Sequence, residues 1–103
     1  LMAAPAFADT MEHSYANTIV VTPAAGGEQT LFHFNADGTF TGVAPGGSQM
    51  AGTFTIQGDQ LCMQYPNGDQ GCTAIAADKN VGDVWTQKGI DGTDISVELR
   101  AGR

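Results

Sequence analysis

Apolar and polar residues alternate along most of the chain in short runs, and turn-forming residues separate these runs. The eight runs occupy residues 18–22, 30–35, 39–44, 50–57, 60–65, 71–75, 84–88 and 93–100. Alternation with a period of two predicts strands with one buried face, and the intervening Gly, Asn and Asp residues predict tight turns. The pattern also predicts one or two helical turns over residues 10–16, with Thr10 as the N-cap.

The loop at residues 58–59 sets the register of the fourth and fifth predicted strands. Its Gly-Asp sequence is typical of a two-residue hairpin turn. This turn places Phe54 opposite Met63 and Ile56 opposite Leu61, so the large apolar residues of both strands share one face. A shift of one residue would move one of these apolar sets to the polar face, so the pattern supports this register.

The loop at residues 66–68 predicts a disulfide. Its Pro-Asn-Gly sequence favours a type I turn closed by a glycine bulge. Pairing Tyr65 with Asp69 across this loop places Cys62 directly opposite Cys72, on the polar face of the sheet. Cross-strand pairs of this kind bring the Cα atoms to roughly 4.5–5.5 Å, within disulfide reach. Chain entropy assigns such a short bridge about 3 kcal/mol.

Two further loops, 36–38 and 90–92, set the register of two other hairpins in the same way. The apolar pairs that they predict are Phe34 with Phe40 and Trp85 with Val97. The polar pairs that they predict are His33 with Thr41 and Lys88 with Asp94. The ion pair of the last hairpin is expected to lie on the surface and to contribute little.

Together, these registers predict an all-β fold with a single interior. The residues predicted to face inward are Phe32, Phe34, Phe40, Met50, Phe54, Ile56, Leu61, Met63, Trp85, Ile95, Val97 and Leu99. Eight consecutive hairpin-linked strands favour a small antiparallel up-and-down barrel with a short N-terminal helical turn. A two-layer sandwich is the alternative. Strands this short enclose little volume, and aromatic side chains are expected to fill much of it.

The first eight residues have the character of the end of a secretion signal. Residues 1–4 are apolar, and the small residues Ala6 and Ala8 occupy the two positions that a signal peptidase requires. Cleavage is expected before Asp9, which leaves residues 9–103 as a single β-barrel domain. An apolar N-terminal strand is the alternative interpretation of this segment.

Composition narrows the classes of partner. The chain has 11 acidic and 4 basic side chains, and its net charge of −7 opposes binding to nucleic acid or anionic lipid. No stretch approaches the roughly 20 apolar residues of a membrane-spanning helix. The even number of cysteines fits an exported protein, in the periplasm or secreted. Zinc would need four closely spaced ligands, and His13 and His33 are far from the cysteines in sequence, so no metal or cofactor is expected.

The sequence contains no evident catalytic constellation. Ser14, Ser48 and Ser96 lack a nucleophile-elbow motif, and the cysteines are expected to be oxidised. Asp37, Asp59, Asp69 and Asp91 fall in predicted turns, where Asp is favoured for structural reasons. Asp83 is predicted to face inward near a strand end, with an exposed strand end as the alternative. We therefore expect a protein that is not an enzyme.

Four segments carry a resemblance to a known family. They are residues 34–40 (Phe-Asn-Ala-Asp-Gly-Thr-Phe), 52–56 (Gly-Thr-Phe-Thr-Ile), 59–62 (Asp-Gln-Leu-Cys) and 71–72 (Gly-Cys). In these segments the chain resembles small exported lipocalin-like β-barrel proteins of alphaproteobacteria. The resemblance implies a periplasmic barrel with a disulfide, and it implies no particular reaction. The chain lacks the Gly-x-Trp motif that the longer lipocalins carry near the first strand, so a roomy ligand cavity is not implied.

Two functional hypotheses follow from the sequence. The first is a non-enzymatic periplasmic or secreted binding module, whose ligand is a small apolar molecule or an envelope component. Its candidate binding residues are Phe32, Phe34, Phe40, Phe54, Met63 and Trp85. The second is a protein-binding inhibitor of a hydrolase that acts through the loops at residues 23–29 and 44–49. An open cavity lined by Phe and Met favours the first hypothesis, and a filled interior with projecting loops favours the second.

Overall fold

Eight antiparallel strands follow a short helix in the computed structural model, which describes residues 6–103. The elements are α1 Ala6–Ser14, β1 Thr18–Pro23, β2 Thr30–Phe34, β3 Thr39–Val43, β4 Gln49–Gln57, β5 Gln60–Gln64, β6 Gln70–Ala74, β7 Val84–Lys88 and β8 Asp94–Arg100. The hydrogen-bonded strand order is β6-β5-β4-β3-β2-β1-β8-β7. The strands form a nearly closed up-and-down barrel, which confirms the predicted all-β fold.

The hairpin registers predicted from the turn sequences are confirmed. The observed pairs include Phe34 with Phe40, Phe54 with Met63, Cys62 with Cys72, and Trp85 with Val97. The predicted strand ends agree with the observed ones to within one residue. Turn chemistry is local, so a correct turn assignment fixes the register of both flanking strands.

The predicted disulfide is present. The sulfur atoms of Cys62 and Cys72 are bonded, and the two Cα atoms are 4.0 Å apart, closer than the expected range. The bridge joins β5 to β6 on the outer face, where Cys72 is exposed and Cys62 is buried. It is therefore a clip between neighbouring strands and not part of the interior.

Helix α1 starts earlier than predicted. The helical turns were expected at residues 10–16, whereas the helix spans Ala6–Ser14. Phe7, Thr10, Met11 and Ser14 recur at helical spacing and face the end of the barrel, where the last three are buried. Short helices are stable mainly through such packing, which the local pattern does not reveal. The cleavage point expected before Asp9 lies inside this helix, and residues 1–5 of the expected signal remnant lie outside the described residues.

An aromatic cluster occupies part of the interior. It consists of Phe32, Phe34, Phe40, Phe54 and Tyr65. The rings of Phe34 and Phe54 are 5.3 Å apart in an edge-to-face arrangement, and those of Phe40 and Tyr65 are 5.4 Å apart in a similar one. Gly52 makes room for this cluster, because a Cβ there would lie 2.7 Å from two ring atoms of Phe40.

One residue of the predicted interior is not enclosed. Ile56 pairs with Leu61 as expected, but it is 41% exposed. Strand β4 extends past β3 at this end, because the paired part of β3 begins at Thr39 opposite Thr53. Ile56 therefore lies beyond the end of β3, which does not cover its inward face.

The two ends of the barrel are covered differently. The closed end carries helix α1, the turns at 35–38 and 58–59, and the loop at 75–83. The mouth carries the loops at 24–29, 44–48, 65–69 and 89–93. At the closed end, the Thr10 hydroxyl donates to the Ala76 carbonyl at 2.6 Å and accepts from the Lys79 amide at 3.0 Å. These bonds tie helix α1 to the 75–83 loop.

Side chains close the barrel between β6 and β7, the two terminal strands of the hydrogen-bonded order. The Thr73 hydroxyl donates to the Lys88 carbonyl at 2.6 Å. The Gln87 amide donates to the Thr73 hydroxyl and to the Ala74 carbonyl, both at 2.8 Å. We call this line of contacts the seam.

Candidate functional site

A cavity of about 390 Å³ lies inside the barrel. It runs from helix α1 to the mouth, and most of its lining is apolar. The apolar side chains around it include Ile19, Val21, Phe32, Phe34, Met50, Leu61, Met63, Trp85, Ile95 and Val97. The volume falls at the lower end of the range of roughly 300–1,000 Å³ that is usual for small-molecule sites.

Helix α1 forms the floor of this cavity. Thr10, Met11 and Ser14 line it from below, and all three are buried. The Ser14 hydroxyl donates to the Thr10 carbonyl at 2.7 Å, and the Thr10 hydroxyl is engaged with the 75–83 loop. The polar groups of the floor are therefore satisfied within the protein.

Three polar side chains on the cavity wall, those of Thr73, Trp85 and Gln87, are also engaged with one another. Trp85 Nε1 donates to Gln87 Oε1 at 2.7 Å, and the Gln87 amide nitrogen binds across the seam to Thr73. Their hydrogen-bonding capacity is used locally, so they add little polarity to the cavity. Contact with this wall is favourable for an apolar ligand surface and costly for an unpaired polar one.

The cavity opens to solvent at the mouth. Its lining residues there are half-buried or exposed, as Met50, Tyr65 and Ile90 illustrate, whereas the lining residues near helix α1 are buried. Burial, and to a smaller extent the Asp69 carboxylate, raise the pKa of the Tyr65 phenol above its ordinary value. The phenol therefore remains protonated at neutral pH.

The lining of the cavity contains an acidic side chain and no basic one. None of the four basic side chains lines it. Lys79 lies over an aromatic ring, Lys88 and Arg100 form ion pairs with acidic neighbours, and Arg103 binds backbone carbonyls at the closed end. Asp91, in the 89–93 loop of the mouth, is the charged residue of the lining.

The structure divides the candidate binding residues into two groups. Phe32, Phe34, Met63 and Trp85 line the cavity, whereas Phe40 and Phe54 are buried in the aromatic cluster away from it. The alternating pattern shows that all six face inward, but it does not show which part of the interior each side chain occupies.

Several lining residues were not selected from the sequence. Met11, Ile19, Val21, Thr73 and Gln87 belong to this group. For Ile19 and Val21, the alternation in the first strand carries a usable signal. For Met11, the signal is the helical spacing of Phe7, Thr10, Met11 and Ser14, which becomes visible only when the helix is extended back to Ala6.

The remaining candidate residues for chemistry, His13, His33 and Asp83, make hydrogen bonds within the fold. His33 lies on the outer face opposite Thr41, with its Nε2 3.1 Å from the Thr18 hydroxyl. The His13 Nδ1 donates to the Lys79 carbonyl at 2.8 Å. Asp83 accepts a hydrogen bond from the Asn80 amide at 2.8 Å and so closes the end of the 75–83 loop. Within residues 6–103, no three His, Cys, Asp or Glu residues form a group that could hold a metal ion.

Comparison with known proteins adds no relative. No protein-family model matches the chain, and neither the curated proteins nor the solved structures include one that is significantly similar to it. Over the described part of the chain, no helix has the length and apolar character needed to cross a membrane.

Proposed function

We propose that this protein is a non-enzymatic binding module that takes up a small apolar molecule in its barrel. The observation that supports this proposal is the apolar cavity of about 390 Å³ between helix α1 and the mouth. Its floor and wall expose mostly apolar carbon, and the polar groups of Thr10, Ser14, Thr73, Trp85 and Gln87 are hydrogen-bonded within the protein. An apolar molecule that enters this cavity loses contact with water, and each buried CH₂ group contributes about 0.8 kcal/mol.

The proposal includes an exported location and a lipocalin-like relationship. The Cys62–Cys72 disulfide is compatible with an oxidising compartment such as the periplasm. The relationship rests on the sequence segments that resemble lipocalin-like proteins, together with the barrel architecture. A partly open interior supports the binding module over the hydrolase inhibitor, because the inhibitor hypothesis expected a filled interior.

Ligand titration followed by the fluorescence of Trp85 tests the proposal. Trp85 is the single tryptophan of the chain and lines the cavity. Neutral apolar probes, 1-decanol and N-phenyl-1-naphthylamine, are expected to bind with one-to-one stoichiometry, the first changing the Trp85 emission and the second gaining fluorescence of its own.

A pair of matched variants locates the binding. Thr30 is half-buried and lines the cavity, whereas Thr86 is exposed on the outer face of β7. Thr30→Phe fills the upper part of the cavity and is expected to weaken probe binding by about tenfold or more, equivalent to about 1.4 kcal/mol. Thr86→Phe is expected to leave binding unchanged. Absence of probe binding by the folded wild-type protein, or equal effects of the two variants, would overturn the proposal.

Native mass spectrometry of protein isolated from its own cell envelope separates the two functional hypotheses. A co-purifying small molecule supports the binding module. A stoichiometric protein partner bound through the loops at 23–29 and 44–49 would favour the hydrolase inhibitor instead.

A further inference from the structure

We infer that the occupant of the cavity is a cationic amphiphile: an apolar tail held in the barrel and a positively charged head, such as an alkylammonium group, at the mouth. This inference rests on the proposed function and adds the charge class of the ligand. It follows from the acidic side chains around the mouth and from the absence of basic side chains in the lining of the cavity.

The mouth is acidic. Its loops and adjoining strand ends carry Glu28, Asp69, Asp91 and Asp94, and the basic side chain among them is Lys88. Lys88 is already paired, because its Nζ lies 2.6 Å from Asp94 Oδ1. A cationic head at the mouth therefore meets a field of negative charge with no free lysine to oppose it.

Asp91 is the acid nearest to the cavity. It lines the cavity, and its Oδ1 lies 3.5 Å from the point where a Cβ on the neighbouring Gly89 would stand. Oδ1 accepts hydrogen bonds from the Thr93 amide and hydroxyl, which fix the carboxylate in place within the turn. These bonds leave the Oδ2 atom of the carboxylate available to a cationic head.

The interior excludes the opposite class of ligand. A fatty acid or another anionic amphiphile needs a basic group or a row of free donors for its head. The four basic side chains of this protein lie outside the lining, and the polar groups of the floor are occupied. An anionic head must therefore remain at the mouth, where the acidic side chains repel it.

The test uses three probes that share a ten-carbon chain. Decylammonium, 1-decanol and decanoate differ in head charge, and at pH 7 and low ionic strength the amine is fully protonated. We expect decylammonium to bind about five- to tenfold more tightly than 1-decanol, and decanoate to bind more weakly than both. The preference is expected to shrink in 0.5 M salt, since the charges are exposed to solvent.

Two identical turns provide the matched variants. Asp91-Gly92-Thr93 lies at the mouth and Asp37-Gly38-Thr39 at the closed end, and in both the aspartate Oδ1 accepts from the threonine amide at 3.0 Å. Asp91→Asn and Asp37→Asn remove the same charge and retain an acceptor oxygen. We expect Asp91→Asn to weaken decylammonium binding about threefold more than it weakens 1-decanol binding, and Asp37→Asn to change neither.

The outcomes separate the two proposals. If all three probes bind equally, or decanoate binds most tightly, the charge class is wrong while the apolar binding function stands. If Asp91→Asn and Asp37→Asn weaken decylammonium binding equally, the head does not sit at the mouth and the inference is overturned. If no probe binds the folded protein, both the inference and the proposed function fail.

Discussion

The turns at Asp37-Gly38-Thr39 and Asp91-Gly92-Thr93 are almost the same, yet they lie at opposite ends of the barrel and in different surroundings. In each turn the threonine amide donates to the aspartate Oδ1 at 3.0 Å, and the threonine hydroxyl donates to the same atom at 2.6 Å in the first and 2.7 Å in the second. These hydrogen bonds lower the pKa of both aspartates below the ordinary value. Local sequence therefore determines the turn but does not determine whether the end of the barrel is open.

Distant segments close one end and leave the other open. Helix α1 lies across the closed end, and Met11 enters the core. The Arg103 side chain donates to the backbone carbonyls of Tyr15, Asn17 and Phe34, and so joins the C-terminal segment to the helix and to β2. No comparable set of contacts covers the mouth within the described residues, and the cavity reaches solvent there.

The largest expected effect comes from Phe40 in the aromatic cluster. Phe40 is 1% exposed and contacts the rings of three cluster residues. Phe40→Ala is expected to lower the free energy of unfolding by about 3–5 kcal/mol, because it removes buried area and leaves a cavity. Ile90→Ala at the mouth, where the side chain is 38% exposed, is expected to cost less than about 1 kcal/mol. Urea denaturation measures both, and a larger effect for Ile90 would refute the contrast.

The disulfide lies in the barrel wall and not at either end, so its removal tests how much the wall contributes to stability. Replacing both Cys62 and Cys72 with Ala is expected to lower the free energy of unfolding by about 3 kcal/mol. Denaturation with and without reductant measures the effect. The reductant should destabilise the wild-type protein and leave the double variant unchanged. Labelling of both cysteines by a thiol reagent in unfolded, unreduced wild-type protein would contradict the bridge itself.

A smaller contrast separates two threonines that line the same cavity. The Thr10 hydroxyl bridges helix α1 to the 75–83 loop through two hydrogen bonds. Thr10→Val is expected to cost about 1–3 kcal/mol, because it leaves a part-buried carbonyl and a part-buried amide without their partner. Thr30→Val at the mouth is expected to change stability by no more than about 0.5 kcal/mol. Thermal unfolding of the two variants checks the difference. Equal melting temperatures would mean that the hydrogen bonds of Thr10 do not stabilise the floor of the cavity.

The smallest expected effect is on the pH dependence of stability, through His33 near the closed end. Burial, and then the nearby Arg103 guanidinium, lower the pKa of His33 below its ordinary value of 6.5. Since the folded-state pKa is below the unfolded-state one, the unfolded chain binds the proton more readily. The contribution of neutral His33 to stability is therefore fully present above pH 6.5 and decreases as the pH falls toward the folded-state pKa. An NMR titration should show a lowered pKa for His33, which Arg103→Ala should raise. An unchanged pKa in that variant would exclude the guanidinium as a cause.

The strands could be predicted from sequence because their information is local. Each hairpin turn fixes the phase of two alternating patterns, so Cys62 and Cys72 could be paired, and Phe34 could be placed opposite Phe40. Ile56 shows the limit of this reasoning. The alternating pattern gives the direction of a side chain, but the stagger between β4 and β3 determines whether the neighbouring strand covers it.

The cavity could be anticipated only in part. The inward direction of Phe32 and Phe54 follows from their alternation, but the first lines the cavity and the second lies outside the lining. Their different positions depend on close approaches such as that of Phe40 to Gly52, which no short-range pattern encodes. The floor depends on helix α1, which packs Met11 into the core and ties Thr10 to the 75–83 loop. Short helices depend on such long-range contacts more than on helix propensity.

The seam between β6 and β7 has a consequence for the protein at high concentration. The free edges of terminal strands are templates for pairing with another chain, and here three side-chain hydrogen bonds hold the two edges together. The Cys62–Cys72 bridge fastens β6 to β5 beside this edge. In reducing surroundings β6 is freer to leave its place, and we expect the first visible damage to be edge-to-edge polymerisation and not unfolding of isolated monomers. The bridge thus protects the solubility of a crowded population as well as the fold of a single molecule.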